Sequence, residues 1–494
     1  MKKQPILIGM ATGDITPKMP NLLRGQTYIR VMEGVHDPLQ ANVMAIGQKK
    51  EDAVFWVSLD LTQFPEELVR CIAAGIAEKI PGFTRDRLIC SAIHTHTAPF
   101  VSSAGASEMW GEAYRIYHLP EGVQRPEDYR DKTLVPAVAE ACKQAWDNMA
   151  PSGVSPVLGH AVIGHCRRVV YRDGTSKMYG STNTYNFERL EGPSDDSVEW
   201  IYIYDEAKKL KGLFVNVCCP AQVVENKLVA SADYVGAFRK RLFEHLGYAV
   251  PVVTVIGAAG DIAPRDLVRS RGAKDPLNPN RSNPDPKCRA WNRGEANMRD
   301  FDGADELGRR LLWAFLYDRE KADAMIQTEV EFQHGFEYLP VKIRTVSEAE
   351  YQEAKAVYQP MVEKYNGDFS AFSQEDRRAV SLQAGICRRY ERQKRSTFYD
   401  MPFHTLRLGP CGFVTCPSEV FLEYGLRIRA RANCEHLIFS QLTDDENEYI
   451  PTPFAVAAKS YSAMVSNQLV SCEGAEYFVE TAIRRVNDYF KTEE

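Results

Sequence analysis

The chain has 494 residues, 44% hydrophobic and 26% charged, with 60 basic and 66 acidic side chains giving a net charge of −6. That apolar share supports a sizeable core, and the acidic balance argues against a nucleic-acid partner, which would favour a basic face. No apolar run reaches the ~20 residues that span a bilayer, so no membrane segment is expected. The apolar stretch after Lys2-Lys3 is shorter than the ~7–15 residues of a signal-peptide core, so the chain is expected to be cytoplasmic. Its twelve cysteines are dispersed. In a chain of this length they read as reduced thiols.

Apolar strands alternate with amphipathic helices. Residues 53–59 (AVFWVSL) form a continuous apolar run, which suits a strand buried on both faces. A helix follows, with Val69, Ile72, Ile76 and Ile80 on one side. Residues 87–93 predict a strand running into His94. A helix is expected over about 134–149, strands over 199–204 and 212–218, a helix over 234–246 and a buried strand over 251–257. The stretch 265–302 is rich in Arg, Asn, Pro and Asp without periodicity. It reads either as a lid or wall of a pocket or as a surface insertion. Beyond it come a helix near 304–322, strands within 328–344, and two charged helices over 347–366 and 374–395. Strands at 403–409, 412–416 and 436–440 follow, with a helix from about 420 and a closing helix over 473–490. The alternation predicts an α/β architecture rather than a bundle or sandwich. No composition shift marks a boundary, so 1–494 is expected to form one domain.

Five short runs could carry chemistry. Residues 90–99 contain His94-Thr95-His96 at the end of a predicted strand, where i and i+2 share a face. Alone, such a pair is more often structural than a metal site. Cys218-Cys219-Pro220 also ends a strand. A thiolate is a good soft ligand, although spacing alone favours two inert buried cysteines. Gly257-Ala258-Ala259-Gly260-Asp261-Ile262-Ala263-Pro264 follows a buried strand but lacks the GK[ST] of a phosphate loop. It reads as a tight turn with a capping aspartate. Cys416-Pro417-Ser418-Glu419 places a carboxylate at a predicted helix start, where the helix dipole alone would favour it. Last come Tyr449, in the run 448–452, and Tyr461.

Taken in order, these runs resemble the neutral (non-lysosomal) ceramidase family. GDITP (13–17) and GVHDPL (34–39) are similar to that family's N-terminal runs, and HTHTAP (94–99) to its HTHSGP. CCPAQ (218–222) falls where the family has a Cys-His-Pro-Thr pattern, and SADYVG (231–236) follows at the family's spacing. GAAGDIAP (257–264) is similar to its GDVSP turn. CPSE (416–419) sits at its Pro-Gly-Glu, and EYIPT (448–452) at its GYxxT. The resemblance runs from about residue 6 to the C-terminus. It implies a catalytic domain of mixed β-sheets flanked by helices. The family's C-terminal immunoglobulin-like domain is not expected, because the chain ends after one helix.

The resemblance also implies a zinc ion held by His94, Glu419 and Tyr449. The family's second ligand histidine falls on Cys219, so a His94, Cys219, Glu419, Tyr449 set is expected. It would be more anionic than a two-histidine site, and its bound water less acidic. His96 and Tyr461 map onto substrate-side positions. The family's arginine maps onto Arg167, with Arg168 a near alternative. The family serine of the GDVSP turn falls on Ala263, which excludes a nucleophilic hydroxyl there. The implied activity is hydrolysis of an amide or ester bond of a small molecule through metal-activated water. Two alternatives stand beside it. One is a degenerate binding protein, suggested by Cys219 and Ala263. The other is a hydrolase retooled for a sugar-derived ester, lactone or glycoside.

Overall fold

The computed structural model describes residues 3–26, 28, 30–102, 121–268, 298–366 and 373–491. Most of the polar stretch expected over 265–302 lies outside the described residues. The central sheet is built from β1 (Gln4–Asp14), β2 (Gln40–Gly47), β3 (Val54–Leu59), β4 (Leu88–Ala92), β5 (Ala150–His160), β6 (Ser197–Tyr204), β7 (Leu210–Val217) and β8 (Val252–Ile256). Their spatial order is β8-β7-β6-β5-β1-β2-β3-β4, and the short strand Glu329–Val330 pairs with β1. Within that path β3 and β4, and β7 and β8, pair in parallel, while the other neighbours are antiparallel.

Strand alternation sorts the side chains into two layers. Phe55 and Val57 face the helices α1 (Glu66–Lys79), α2 (Val135–Asp147), α3 (Asp233–Leu246) and α4 (Phe301–Ala324), whose Ile72, Val138, Phe238 and Leu311 share that core. Trp56, Ile89, Ile201 and Phe214 face the other way, onto Leu406, Phe413 and Ile438 of a second sheet. That sheet is β9 (Phe332–Lys342), β10 (Phe398–Leu408), β11 (Cys411–Thr415) and β13 (His436–Ser440), in that order. The Phe214 ring packs edge-on against Trp56 (centroids 5.1 Å apart) and against Phe413 (5.7 Å), so aromatic contacts join the two sheets. The chain between β9 and β10 forms the helices α5 (Glu348–Lys364) and α6 (Gln374–Gln393). Helices α7 (Leu422–Arg431) and α8 (Cys472–Tyr489) cover the far side of the second sheet through Ile428, Phe478 and Ala482. The result is a helix–sheet–sheet–helix stack. Beside it, β12 (Ser418–Val420) and β14 (Asn447–Ile450) form a small parallel pair.

No helix among the described residues is long and apolar enough to cross a membrane. The eleven cysteines among the described residues are free thiols.

One buried ion pair locks α3 to the sheet. Arg239 donates to both carboxylate oxygens of Asp60 (3.0 and 2.6 Å), and the Gln40 N–H adds a third donor (2.7 Å). Burial alone would push the Asp60 carboxyl up strongly, and Arg239 offsets part of that. Arg239→Ala leaves a buried carboxylate uncompensated, at a cost of about 3–5 kcal/mol. Chemical denaturation checks this. The double variant Asp60→Asn/Arg239→Met should recover much of the loss, and a single-variant loss below ~1 kcal/mol would contradict the assignment.

Candidate active site

The candidate residues come from loops that leave the central sheet and from the small β12–β14 pair. Strands β3 and β4 are parallel neighbours, so the loops after both leave the same edge. Strand β4 ends at Ala92, and His94 lies beyond it in a left-handed conformation, with φ +62°. The strand-face account of the His94/His96 pair is therefore corrected. The two imidazoles meet because the backbone turns sharply at His94, a conformation that non-glycine residues adopt at a cost and that recurs at active sites. Backbone bonds hold the turn: Ile93 N–H to Leu59 O (3.1 Å), Thr95 N–H to Leu61 O (3.2 Å) and Ala221 N–H to Ile93 O (3.2 Å).

His94 Nδ1 donates to the Thr62 carbonyl (2.8 Å), which directs Nε2 inward. There Nε2 lies 3.5 Å from Glu419 Oε2 and 3.3 Å from His96 Nε2. Burial pushes the His94 pKa down, and it pushes that of His96 well below the ordinary value with His94 adding to the effect, so both rings are neutral at neutral pH. The side-chain amide of Gln222 donates to His96 Nε2 (2.7 Å). Gly25 abuts the His96 ring: a Cβ there would come within 2.4 Å of it, and Gly25 has φ +112°.

Glu419 was expected at a helix start. It lies instead in β12, opposite Tyr449 of the parallel strand β14, and α7 begins only at Leu422. Pairing in register puts the two side chains together on one side. Arg167 bridges them. Its Nη2 donates to Tyr449 Oη (3.2 Å) and Gly260 O (2.7 Å) and lies 3.8 Å from Glu419 Oε2. Burial disfavours the guanidinium charge, but Tyr449, Tyr179 and Glu419 around it outweigh that and raise its pKa. Arg168 is turned elsewhere. It pairs with Glu191 (2.7 Å) and donates to the Tyr461 carbonyl (2.6 Å), so it supports Tyr461 from behind. The Tyr461 ring stands edge-on to Tyr449, with centroids 5.9 Å apart.

Cys219 is buried in the next loop. Its thiol is directed at the carbonyls of Ile163 (3.6 Å) and Pro220 (3.5 Å). Burial, then Asp233, pushes its pKa well up, so it is a neutral thiol. Among the described residues no three His, Cys, Asp or Glu side chains are grouped to hold a metal ion. His94 and Glu419 make a pair, with His96 Nε2 beside His94, and Arg167 ties the Tyr449 phenol to the same cluster. The GAAGDIAP turn serves as scaffold. Asp261 accepts from the Leu422 N–H (2.8 Å), capping α7, and its carbonyl accepts from the Arg167 N–H (2.9 Å). Ala263 pairs with His165 in a short two-stranded ladder.

The fold recurs in a solved structure, the crystal structure of neutral ceramidase from Pseudomonas aeruginosa. The two superpose with a TM-score of 0.67 at 16% identity, over 98% of this chain and 74% of that one. The fold is that of neutral ceramidase. A ceramidase complexed with C2 gives a TM-score of 0.65 at 16% identity, over 99% of this chain and 77% of the other. No protein-family model matches the chain, and no curated protein matches it in sequence.

Within the ceramidase fold, several site residues had no signal in the sequence. Thr62 orients His94 but looks like any residue after a strand. Glu225 lies 3.9 Å from His96 Nδ1 and pairs with Arg265. Arg24 pairs with Glu446 (2.6 Å), both buried, at the same edge. Gln222 alone had a marker, as the last residue of the CCPAQ run.

Proposed function

We propose that the chain is a metal-dependent hydrolase, with zinc as the ion, that cleaves an amide or ester bond of a small molecule. The observation that carries this reading is the convergence of His94 Nε2 and Glu419 Oε2, 3.5 Å apart, with both lone-pair atoms facing one another. Two donors bound to one tetrahedral zinc at about 2.1 Å lie about 3.4 Å apart, so a cation fits between them. His94, Glu419 and Tyr449 would hold it. Cys219 joins the set only if its thiol turns from the Ile163 and Pro220 carbonyls and gives up its proton. When bound, zinc supplies an acidified water and polarises a carbonyl oxygen.

The remaining groups act on the substrate. Arg167 is charged and already fixed by Gly260 and Tyr449, so it can donate to a carbonyl oxygen as negative charge grows there. Tyr461 can add a second donor from the same side. His96 is neutral and fixed by the Gln222 amide at Nε2, so it can line the substrate side without carrying charge. Ala263 supplies no nucleophile, which leaves water as the attacking group. The chain acts as one catalytic unit in the cytoplasm, on a small molecule and without a nucleic-acid partner.

A specific observation favours a polar substrate over a long acyl chain, and so the sugar-derived alternative. The wall beyond His96 carries Gln222, Glu225, Arg265 and Arg30, and Tyr28 donates to Asn226 (3.0 Å). A panel of N-acylsphingosine, short acyl amides, lactones and sugar esters, assayed with and without a chelator, tests both readings. Chelator-sensitive turnover of the short polar members is expected. Turnover that survives full metal removal would sink the proposal, and binding without turnover would identify a degenerate binding protein.

A further inference from the structure

Helix α4 turns Leu307, Leu311 and Phe315 into the core. Its opposite face is unusual for its apolar content. Trp313 is 69% exposed, Tyr317 87% and Leu316 36%, and all three lie on one stripe. Val162 adds a fourth exposed apolar side chain beside them, since its carbonyl accepts from Arg310 of the same helix (2.9 Å). Exposed aromatic clusters of this kind mark contact surfaces.

The charges flanking the stripe indicate what covers it. Arg309 and Glu320 lie on the same exposed face, equally far from the point between Ala314 and Phe315, and Trp313 and Leu316 are equidistant from that point too. Arg309, Trp313, Leu316 and Glu320 read positive, aromatic, apolar, negative along the stripe, over about 16 Å at 1.5 Å per residue, and Tyr317 has the half-buried Leu312 as its mate about the same point. Turned end for end, this pattern is its own complement. Arg309 of one copy meets Glu320 of the other, and Trp313 meets Leu316. That is the requirement for an isologous two-fold contact. Arg309 can be spared from its own helix, because its neighbour Glu306 also pairs with Arg310 (2.9 Å). Both signs of charge on one stripe make a poor match for a lipid surface, which would favour cations alone.

We propose that this face of α4 is the two-fold interface of a homodimer. A single helix pair buries less than the ~1,200–2,000 Å² of a standard interface, so the dimer is weak, with a dissociation constant on the order of micromolar.

Sedimentation velocity of the full chain across the micromolar range tests this. The wild type should move from 55.8 kDa towards twice that mass as concentration rises. Arg309→Glu and Glu320→Arg should each weaken the dimer by about tenfold or more, and the double reversal should restore it, as complementary charges require. Trp313→Glu should leave a monomer. Circular dichroism and amide hydrolysis measured on the same samples establish that the variants are folded. A wild type that stays monomeric overturns the proposal, whether or not it binds phospholipid vesicles. So does a dimer that Trp313→Glu leaves intact, or single reversals that the double variant fails to rescue.

Discussion

Replacing His94 with Ala is expected to remove the bound metal and reduce hydrolysis to background. His94 Nε2 is the nitrogen that faces Glu419, and the Thr62 carbonyl already fixes the ring that carries it. Removing an oriented ligand from so small a set leaves Glu419 and Tyr449 alone, too few donors for tight zinc binding. Backbone strain complicates the Ala variant, because position 94 has φ +62° and a left-handed Ala costs roughly 1–2 kcal/mol. His94→Asn separates the two effects, since Asn tolerates that conformation far better. It should fold with near-native stability and still lack metal and activity. Metal analysis and thermal denaturation of both variants check this. An Asn variant that keeps a stoichiometric ion would show that His94 is not a ligand.

The second large effect is expected at Arg167. Its fork serves Gly260 O, Tyr449 Oη and the neighbourhood of Glu419 at once. Lysine keeps the charge but not the planar, multi-donor geometry. Arg167→Lys should lower kcat by about 10²–10³, the usual loss when one donor to a developing oxyanion is removed, with a smaller change in KM. Arg168→Lys is the contrast. That side chain pairs with Glu191 and holds the Tyr461 carbonyl, so its loss should show mainly as lower stability. Wild-type kcat in Arg167→Lys would remove Arg167 from the chemistry.

The sequence resolved the helices and the most apolar strands. Residues 53–59 and 251–257 read as buried strands because nothing charged interrupts them, and both lie in the central sheet. Strands β1 and β5 gave no such signal. Gly9 and Gly13 interrupt β1, and a Cβ at Gly9 would come within 1.8 Å of the Ala145 carbonyl of α2, so close helix packing set the residue there. Strand β5 carries Pro151, Gly153, Pro156 and Gly159, which read locally as a turn, and tertiary pairing with β6 overrides them.

The candidate site could be proposed from the sequence as a set of residues and not as a shape. The runs around His94, Arg167, Glu419, Tyr449 and Tyr461 could be picked out, but their convergence depends on strand order. The parallel pairing of β12 with β14 brings Glu419 to Tyr449, and nothing local predicts it. The choice between Arg167 and Arg168 likewise came from which way each side chain turns. At Cys219 the sequence offered a soft ligand, whereas the folded chain holds a neutral thiol against two carbonyls.

Anomalous diffraction at the zinc edge, on crystals of the protein as purified, tests the central claim most directly. The expected result is one peak within about 2.0–2.2 Å of both His94 Nε2 and Glu419 Oε2, with the Tyr449 oxygen beside it. An active protein with no ion between those two atoms would contradict the account.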